Sequence, residues 1–256
     1  MHDVLGTQFG TEPMTAVVIG ASGGIGAQVT AELLRHSFIN VVATSRSGEP
    51  SNSASGGIHA ADWHSLNVTN SENIVEFGQW LKGAEAPPVR LVFCAMGLLH
   101  DGAMQPEKRL AELDAEYLHE SFAVNAVGPM LVARELLPLM PRKGRVIFSS
   151  LSARVGSIGD NRLGGWYGYR ASKAALNQFI KTMSIEWRRR ASESIAVALH
   201  PGTVDTPLSM PFQRNVPPGK LFSRERAADQ LLSVLAGLKT EDSGKHFAWD
   251  GQQIPW

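Results

Sequence analysis

The sequence predicts a single α/β domain in which a doubly wound parallel sheet carries helices on both faces. Short apolar runs typical of strands alternate with helical segments along the whole chain. The strand-like runs are continuously apolar, which is typical of parallel strands buried on both faces. A length of 256 residues suits one large α/β domain.

The predicted elements follow one another without a linker. Strands are expected at 15–20, 40–45, 89–97, 144–150, 194–202 and 246–251. Helices are expected at 24–36, 71–82, 112–140, 166–190 and 224–238. Two loops stand out by composition, one rich in Ser and Gly at 47–57 and one rich in Pro at 206–219. Residues 1–13 read as a disordered leader, so the domain is assigned to 14–256.

Composition excludes several function classes. The 24 basic residues balance the 24 acidic ones, so no overall field favours nucleic acid or an anionic membrane. We find no apolar run near the roughly 20 residues of a membrane span, and no secretory signal. The single cysteine, Cys94, agrees with a reducing compartment, and we expect a cytoplasmic protein. Histidines do not cluster with Cys or acids, so no metal site is expected.

The stretch "VVIGASGGIGAQV" joins the first strand to the first helix through a glycine-rich turn. Gly20 permits the tight turn, Gly24 allows close approach of a pyrophosphate, and Gly26 allows close packing of helix and sheet. The free N–H groups of the helix N-terminus then favour phosphate. This context predicts a Rossmann-type dinucleotide site, with contacts assigned to Gly20, Ser22, Gly23, Gly24, Ile25 and Gly26.

The end of the second strand indicates which dinucleotide is preferred. It reads "ATSRS", so Ser45 and Arg46 stand where a carboxylate would bind the 2′-hydroxyl of NAD. An arginine there accommodates the 2′-phosphate of NADP, and we therefore expect NADP(H) over NAD(H). The alternative is that Arg46 is an ordinary solvated loop residue.

The stretch "GGWYGYRASKAAL" contains two tyrosines, and their spacing to Lys173 separates them. Tyr169 and Lys173 are four residues apart and share a helix face, whereas Tyr167 has Ala171 at that position. An ammonium beside a phenol favours the phenolate and lowers its pKa. Tyr169 is therefore the acid–base candidate, and Tyr167 is assigned to packing or a substrate wall.

The glycine turn "GASGGIG" followed by "YRASKAALNQF" resembles the short-chain dehydrogenase/reductase family over residues 14–256. The runs "LSARVGSIGDNRLGGWYGYRASKAALN" and "FAWDGQQIPW" are similar to the branch of C-factor signalling proteins and sniffer-type carbonyl reductases. The resemblance implies hydride transfer between a nicotinamide and a carbonyl or alcohol carbon. It implies that Tyr169 supplies the proton, that Lys173 holds the ribose, and that a serine positions the substrate oxygen.

The resemblance places this serine just after the fifth strand and adds an asparagine in the preceding helix. "LSARVGS" favours Ser152, with Ser150 as the alternative and Ser149 as a strand residue. The asparagine corresponds to Asn125, which in the family holds a water that relays protons to the lysine. Pro129 supports this position independently, because it has no N–H for the carbonyl of Asn125, and a kinked helix can hold a water there.

Three further segments correspond to cofactor contacts of the family. "FCAMG" stands for its turn after the fourth strand, where the contacts fall to Ala95 and Gly97. "SLNVTN" supplies Asn67 and Val68 toward the adenine, with Asp62 as a rival for Asn67. "HPGTVDTP" corresponds to the segment that meets the carboxamide and phosphates, here Pro201, Gly202, Val204 and Thr206.

The substrate side is defined less sharply. Residues 206–222 form the expected lid, whose apolar side chains favour a small apolar carbonyl or alcohol substrate or simply pack the lid. Family members associate through the two long helices, so a homodimer or homotetramer is expected. Two other functions stay open: a C-factor-type signalling protein with little turnover, and a sugar-nucleotide epimerase, which the short chain disfavours.

Overall fold

The computed structural model of the protein describes residues 12–50, 57–102 and 104–256. The leader expected at 1–13 lies outside these residues except for positions 12 and 13, and the first strand begins at Met14.

The sheet is built from strands that follow the order of the chain. Their bounds are Met14–Ile19 (β1), Ile39–Ser45 (β2), Asp62–Ser65 (β3), Val89–Cys94 (β4), Val146–Leu151 (β5), Ser194–His200 (β6), Lys245–Ala248 (β9) and Gln253–Ile254 (β10). Two short strands, Thr203–Val204 (β7) and Leu221–Phe222 (β8), form a separate pair.

The helices lie between these strands. Their bounds are Gly24–Leu33 (α1), Ser71–Gly83 (α2), Ala115–Phe122 (α3), Gly128–Leu136 (α4), Tyr167–Arg188 (α5) and Arg224–Gly237 (α6). A π-helical turn, Ala123–Val127, joins α3 directly to α4.

The strand order in the large sheet is β10-β9-β6-β5-β4-β1-β2-β3. All neighbours pair in parallel except β10, which runs antiparallel to β9 and is followed by Pro255. The order reverses between β1 and β4, and in a doubly wound sheet ligands bind at the carboxyl ends of the strands beside this point. The predicted fold class is confirmed.

Alternate residues of each strand face two separate apolar cores. Val18 of β1 packs with Val29 of α1 and Leu231 of α6 on one face. Val17 of β1 packs with α2, α4 and α5 on the other face, where Leu176 is fully buried. Because both faces are covered, every residue of β1 is buried, which explains why all but Thr15 are apolar.

The sequence did not predict the short pair β7 and β8, nor two strands of the large sheet, β3 and β10. The third strand, "DWHS", contains no apolar run because it lies at the sheet edge and all four residues are half-buried or exposed. The two residues of β10 are too short to leave a pattern.

The helix expected at 112–140 is interrupted. A 3-10 turn at Leu110–Glu112 precedes it, and the π-helical turn divides its middle, with Gly128 N–H donating to the carbonyl of Ala123. The turn lies directly before Pro129, whose missing N–H breaks the ordinary helical hydrogen-bond pattern.

The same helix is an exception to the expectation that no segment is apolar enough to span a membrane. Ala115–Leu139 contains a window of mean hydropathy 1.3, which by length and composition is apolar enough to cross a membrane. This segment does not appear as an uninterrupted apolar run in the sequence, because polar residues such as Asn125 lie within it. In this fold Val132, Ala133 and Leu136 of the helix pack in the core beneath the sheet. Core helices pass the same test, so this is weak evidence for a membrane span.

Candidate active site

The glycine turn after β1 has the geometry that its sequence predicts. Gly20 has a φ of +79°, and Gly23 N–H donates to its carbonyl at 3.2 Å. The first helical hydrogen bond runs from Ala27 to Gly23, so the amides of Gly24, Ile25 and Gly26 precede it and are open donors. A Cβ built on Gly26 would lie 2.3 Å from the Gly20 carbonyl oxygen, so only glycine fits there.

Two glycines bring the turn, the expected lid and two of the candidate catalytic residues together. A Cβ on Gly24 would lie 2.5 Å from Cγ2 of Thr206. A Cβ on Gly97, after β4, would lie 3.7 Å from Asn125 Oδ1, Lys173 Nζ and Leu208 Cδ1. A dinucleotide needs such side-chain-free backbone at the switch point, and the open amides of α1 face its phosphates. These residues therefore fit a dinucleotide, with the lid residues Thr206 and Leu208 close above.

The residues expected near the adenosine half lie at the carboxyl ends of β2 and β3. Ser45 ends β2, and its hydroxyl bonds with the carbonyl and amide of Glu49. Arg46 is exposed beside it, and Asn67 and Val68 follow β3. The Asn67 side chain accepts from Thr69 at 3.1 Å. Asp62 begins β3 opposite Val42, so it lies at the far end of the strand and does not compete with Asn67.

The segment after β6 lies between the glycine turn and α6. Gly202 has a φ of +78°, and a Cβ there would lie 2.6 Å from the Phe222 ring. Val204 is buried in β7, and its carbonyl accepts from the hydroxyl of Ser209. Pro201 directly precedes this turn. Ala95 belongs to another segment, the loop after β4, and its N–H donates to the carbonyl of Ile19 at 2.8 Å.

Tyr169 and Lys173 lie on one buried face of α5. The Lys173 ammonium is 5.7 Å from the centroid of the Tyr169 ring and donates to the carbonyl of Leu151 at 2.9 Å. Both side chains are buried. Tyr167 points elsewhere, since 39% of it is exposed.

Burial dominates the pKa values of this pair. It raises the pKa of the Tyr169 phenol, with a smaller contribution from Tyr117. It lowers the pKa of Lys173 to about 7, against a small opposing effect of the buried Cys94 thiol. The expectation that the ammonium lowers the phenol pKa is therefore wrong. Each charged form loses its water, and this outweighs the attraction between the two groups.

Asn125 is buried in the π-helical turn and anchors the loop after β4. Its Oδ1 accepts from Leu98 N–H and its Nδ2 donates to the Leu98 carbonyl, both at 2.8 Å. Nδ2 also lies 3.2 Å from the hydroxyl of Ser121 and 3.1 Å from that of Ser172. The two serines escaped the sequence analysis because only the packing of α3 against α5 brings them to Asn125.

The three serines at the end of β5 differ in their partners. Ser149 donates to the Val92 carbonyl within the sheet. Ser150 is buried and its hydroxyl has no partner among the described residues. Ser152 donates to Oδ1 of Asn177 at 2.7 Å. Asn177 lies two helical turns after Tyr169 on the same buried face, and that spacing was the available signal for it.

Glu107 is a second residue that sequence analysis missed. Its carboxylate is 2% exposed and accepts from the N–H of Gly168, at 3.2 and 3.3 Å to its two oxygens. Gly168 lies in the first turn of α5, next to Tyr169. A carboxylate at a helix N-terminus satisfies an open donor and complements the helix dipole. Glu107 therefore fixes the start of the helix that carries the tyrosine and the lysine.

The rest of the described chain offers a different cavity and no metal ligands. A groove of about 660 Å³ lies between α6 and β9, lined by Asp229, Trp249 and Asp250 among others, away from Tyr169.

Within residues 12–50, 57–102 and 104–256, no group of three His, Cys, Asp or Glu side chains could hold a metal ion.

Comparisons with known proteins identify the family of this chain. The family model of short chain dehydrogenases matches residues 14–217. The C-signal protein of Myxococcus xanthus is 33% identical over 147 residues, which is 57% of this chain and 83% of that protein.

Two solved structures share the fold. The NADPH-bound carbonyl reductase from chicken fatty liver superposes with a TM-score of 0.77 at 24% identity, over 98% of this chain and 97% of its own. The carbonyl reductase Sniffer of D. melanogaster superposes with a TM-score of 0.78 at 20% identity, over 96% and 100%. The chain belongs to the short-chain dehydrogenase family, and it is similar to C-signal over 83% of that protein.

Proposed function

We propose that this oxidoreductase is an NADP(H)-dependent reductase of a small apolar carbonyl compound, or the corresponding alcohol dehydrogenase. The observation that carries the proposal is that Lys173 and Asn125 meet at Gly97 and that the Tyr169 ring lies beside Lys173, on the same side of the sheet edge as the open amides of α1. When bound, a nicotinamide exchanges a hydride with the substrate carbon. Residues 14–256 act as one unit in this proposal.

Tyr169 donates the proton that the substrate oxygen needs during reduction. Its raised pKa keeps the phenol protonated at neutral pH, which suits a proton donor. Ser172 donates to the main-chain carbonyl of Tyr169 and not to the phenol, which in this proposal leaves the phenol to the substrate.

Lys173 and Asn125 supply protons to the phenol and hold the site together. The Lys173 pKa of about 7 allows the ammonium to give up and regain a proton near neutral pH. Asn125 holds the Leu98 backbone, and the π-helical turn around it is where the relay water would bind. Asn125→Leu should reduce turnover much more than NADPH affinity, and unchanged turnover would reject this proton relay.

A panel of aldehydes and ketones, monitored by NADPH absorbance, tests the activity. Tyr169→Phe should abolish the reduction, because phenylalanine has no proton to give. The matched control is Tyr167→Phe, which removes a hydroxyl from the exposed tyrosine and should retain the activity. Full activity of Tyr169→Phe would refute the assignment.

The serine assignment follows from its partners. The Ser152 hydroxyl donates a hydrogen bond to Asn177. Rotation of this hydroxyl would redirect the hydrogen bond to a substrate oxygen. Ser152→Ala should therefore lower kcat more than Ser150→Ala does. The reverse order would transfer the task to Ser150.

The preference for NADP(H) rests on Arg46, the exposed cation after β2. Arg46→Ala should raise the Kd of NADPH by about tenfold, the cost of one lost charged contact, and leave the Kd of NADH unchanged. Equal effects on both coenzymes would show that Arg46 does not bind the 2′-phosphate.

The C-signal similarity gives a second candidate, a signalling protein that keeps the dinucleotide site. The buried Tyr169–Lys173 pair favours the enzyme, because a binding module needs no such pair. NADPH binding without any turnover across the panel would favour signalling. In either case we propose a cytoplasmic homodimer or homotetramer that assembles through α3–α4 and α5.

A further inference from the structure

Trp166 has an unusual backbone conformation directly before the catalytic helix. Its φ is +53°, and among the described residues no other non-glycine has a positive φ. Gly164 and Gly165 before it are also left-handed, with φ of +62° and +65°. An L-residue with a bulky side chain is strained in this region, and glycine would avoid the strain. The chain therefore carries an indole at a position where its backbone favours glycine.

Two side chains and one main-chain group hold this strained turn. Arg170 donates from Nε to the carbonyl of Gly165 at 2.8 Å and from Nη2 to that of Gly164 at 3.0 Å. The Trp166 N–H donates to the main-chain carbonyl of Glu107, whose carboxylate binds Gly168. Backbone strain persists only where the surroundings fix it, and such positions cluster at ligand sites.

The indole held in this way lies between the catalytic phenol and the lid. Its ring centroid is 6.3 Å from that of Tyr169, in an edge-to-face arrangement of 78°. It is 5.0 Å from the ring of Phe212, which belongs to the lid helix Met210–Asn215. The ring centroid of Phe212 lies in turn 5.7 Å from that of His100. Trp166, Phe212 and His100 are each half-buried, so their rings keep accessible surface beside Tyr169.

The rings of Trp166 and Phe212 pack against other rings. Within the described part of the chain, no cation–π contact involves Trp166 or Phe212. Glu107 directs its carboxylate to Gly168 and away from solvent. Leu208 completes the lid near Gly97. A flat apolar ring would find aromatic partners on two sides, at Trp166 and at Phe212.

We infer that Trp166 and Phe212 form an aromatic wall that selects uncharged aryl aldehydes and ketones, with Trp166 as the specificity-determining residue. This inference rests on the proposed carbonyl reduction. The aryl ring packs against the indole while its carbonyl oxygen meets the Tyr169 hydroxyl. Aromatic pairs gain more than their buried area alone gives, so an aryl substrate should exceed an alicyclic one of the same size by about 3- to 10-fold in kcat/KM.

The test compares benzaldehyde with cyclohexanecarbaldehyde, which differ in aromaticity at similar size. The wild-type protein should prefer benzaldehyde, and Trp166→Leu should bring the ratio of kcat/KM close to one while it retains activity on the alicyclic aldehyde. Trp166→Phe should keep most of the preference. Phe179→Leu is the matched control, since it removes an exposed aromatic ring further along the same helix and should leave the ratio unchanged. An unchanged ratio in Trp166→Leu, or an equal loss for both substrates, would overturn the inference.

Two further measurements separate this inference from the proposed activity. Phe212→Leu changes only the lid side of the wall and should lower the same ratio, which covers the case that Trp166→Leu does not fold. Saturation-transfer NMR of benzyl alcohol and cyclohexylmethanol, with NADP⁺ and the full chain, measures binding without turnover. Preferential binding of benzyl alcohol that depends on Trp166 supports the wall even if neither aldehyde is reduced. Equal binding of both alcohols together with efficient reduction supports the activity and refutes the wall.

Discussion

Replacement of Glu107 tests whether a buried carboxylate fixes the start of α5, the helix that carries Tyr169 and Lys173. Glu107→Ala removes the acceptor of the buried Gly168 N–H. An unsatisfied buried donor costs about 1 to 3 kcal/mol, and the lost charge at the N-terminus of α5 adds about 0.3 to 1 kcal/mol. We expect a loss of about 2 to 3 kcal/mol in the free energy of unfolding, which for a chain of this size lowers Tm by about 4 to 12 °C. Glu107→Gln keeps an acceptor oxygen and should cost less than about 1 kcal/mol.

Thermal unfolding followed by circular dichroism measures these differences. Glu120→Ala, which removes an exposed carboxylate from α3, is the control and should leave Tm unchanged. If Glu107→Ala changes Tm no more than Glu120→Ala does, Glu107 does not anchor the helix. A loss in Glu107→Gln as large as that in Glu107→Ala would show that the charge matters more than the hydrogen bond.

Three further predictions concern other positions. The Lys173 pKa lies at about 7 in the folded protein and at 10.5 when unperturbed, so the unfolded chain binds more protons in that window and stability rises with pH. In urea unfolding, the free energy of unfolding should rise by up to about 1.4 kcal/mol per pH unit between pH 7 and 8.5. The same dependence on pH in Lys173→Met would contradict this prediction. Gly26→Ala places a Cβ 2.3 Å from the Gly20 carbonyl oxygen and should weaken NADPH binding in a fluorescence titration. Gly237→Ala has open space around the new Cβ and should not change NADPH binding. Equal NADPH affinities of the two variants would contradict the steric argument. Arg145→Met deprives three carbonyls at the end of α6 of their donor and should cost about 2 kcal/mol in urea unfolding. A cost under about 0.5 kcal/mol would show that these carbonyls find water instead.

The parts of the site that depend on local spacing could be predicted from the sequence. The glycine turn is defined by residues within one strand-to-helix connection, and Tyr169 and Lys173 share a face because of helical geometry alone. Pro129 likewise indicated a disturbed helix at Asn125, and the structure has a π-helical turn there. In each case the neighbours in sequence determine the conformation.

The parts that depend on tertiary packing could not be predicted. Glu107 reaches Gly168 across 61 positions of sequence, and no local pattern marks that contact. The direction of the Tyr169 pKa shift was wrong because the sequence shows the nearby ammonium but not the extent of burial. The edge strand β3 was missed because half-exposed strands tolerate polar residues.

The strand β10 has a consequence for how copies of this chain can associate. It caps one edge of the large sheet with two paired residues, Gln253 and Ile254, and Pro255 directly after them has no N–H to offer. A second chain would find almost no free backbone donors along that border, so growth of the sheet from molecule to molecule is blocked there. Assembly at this end must rely on side-chain surfaces rather than on continued strand pairing.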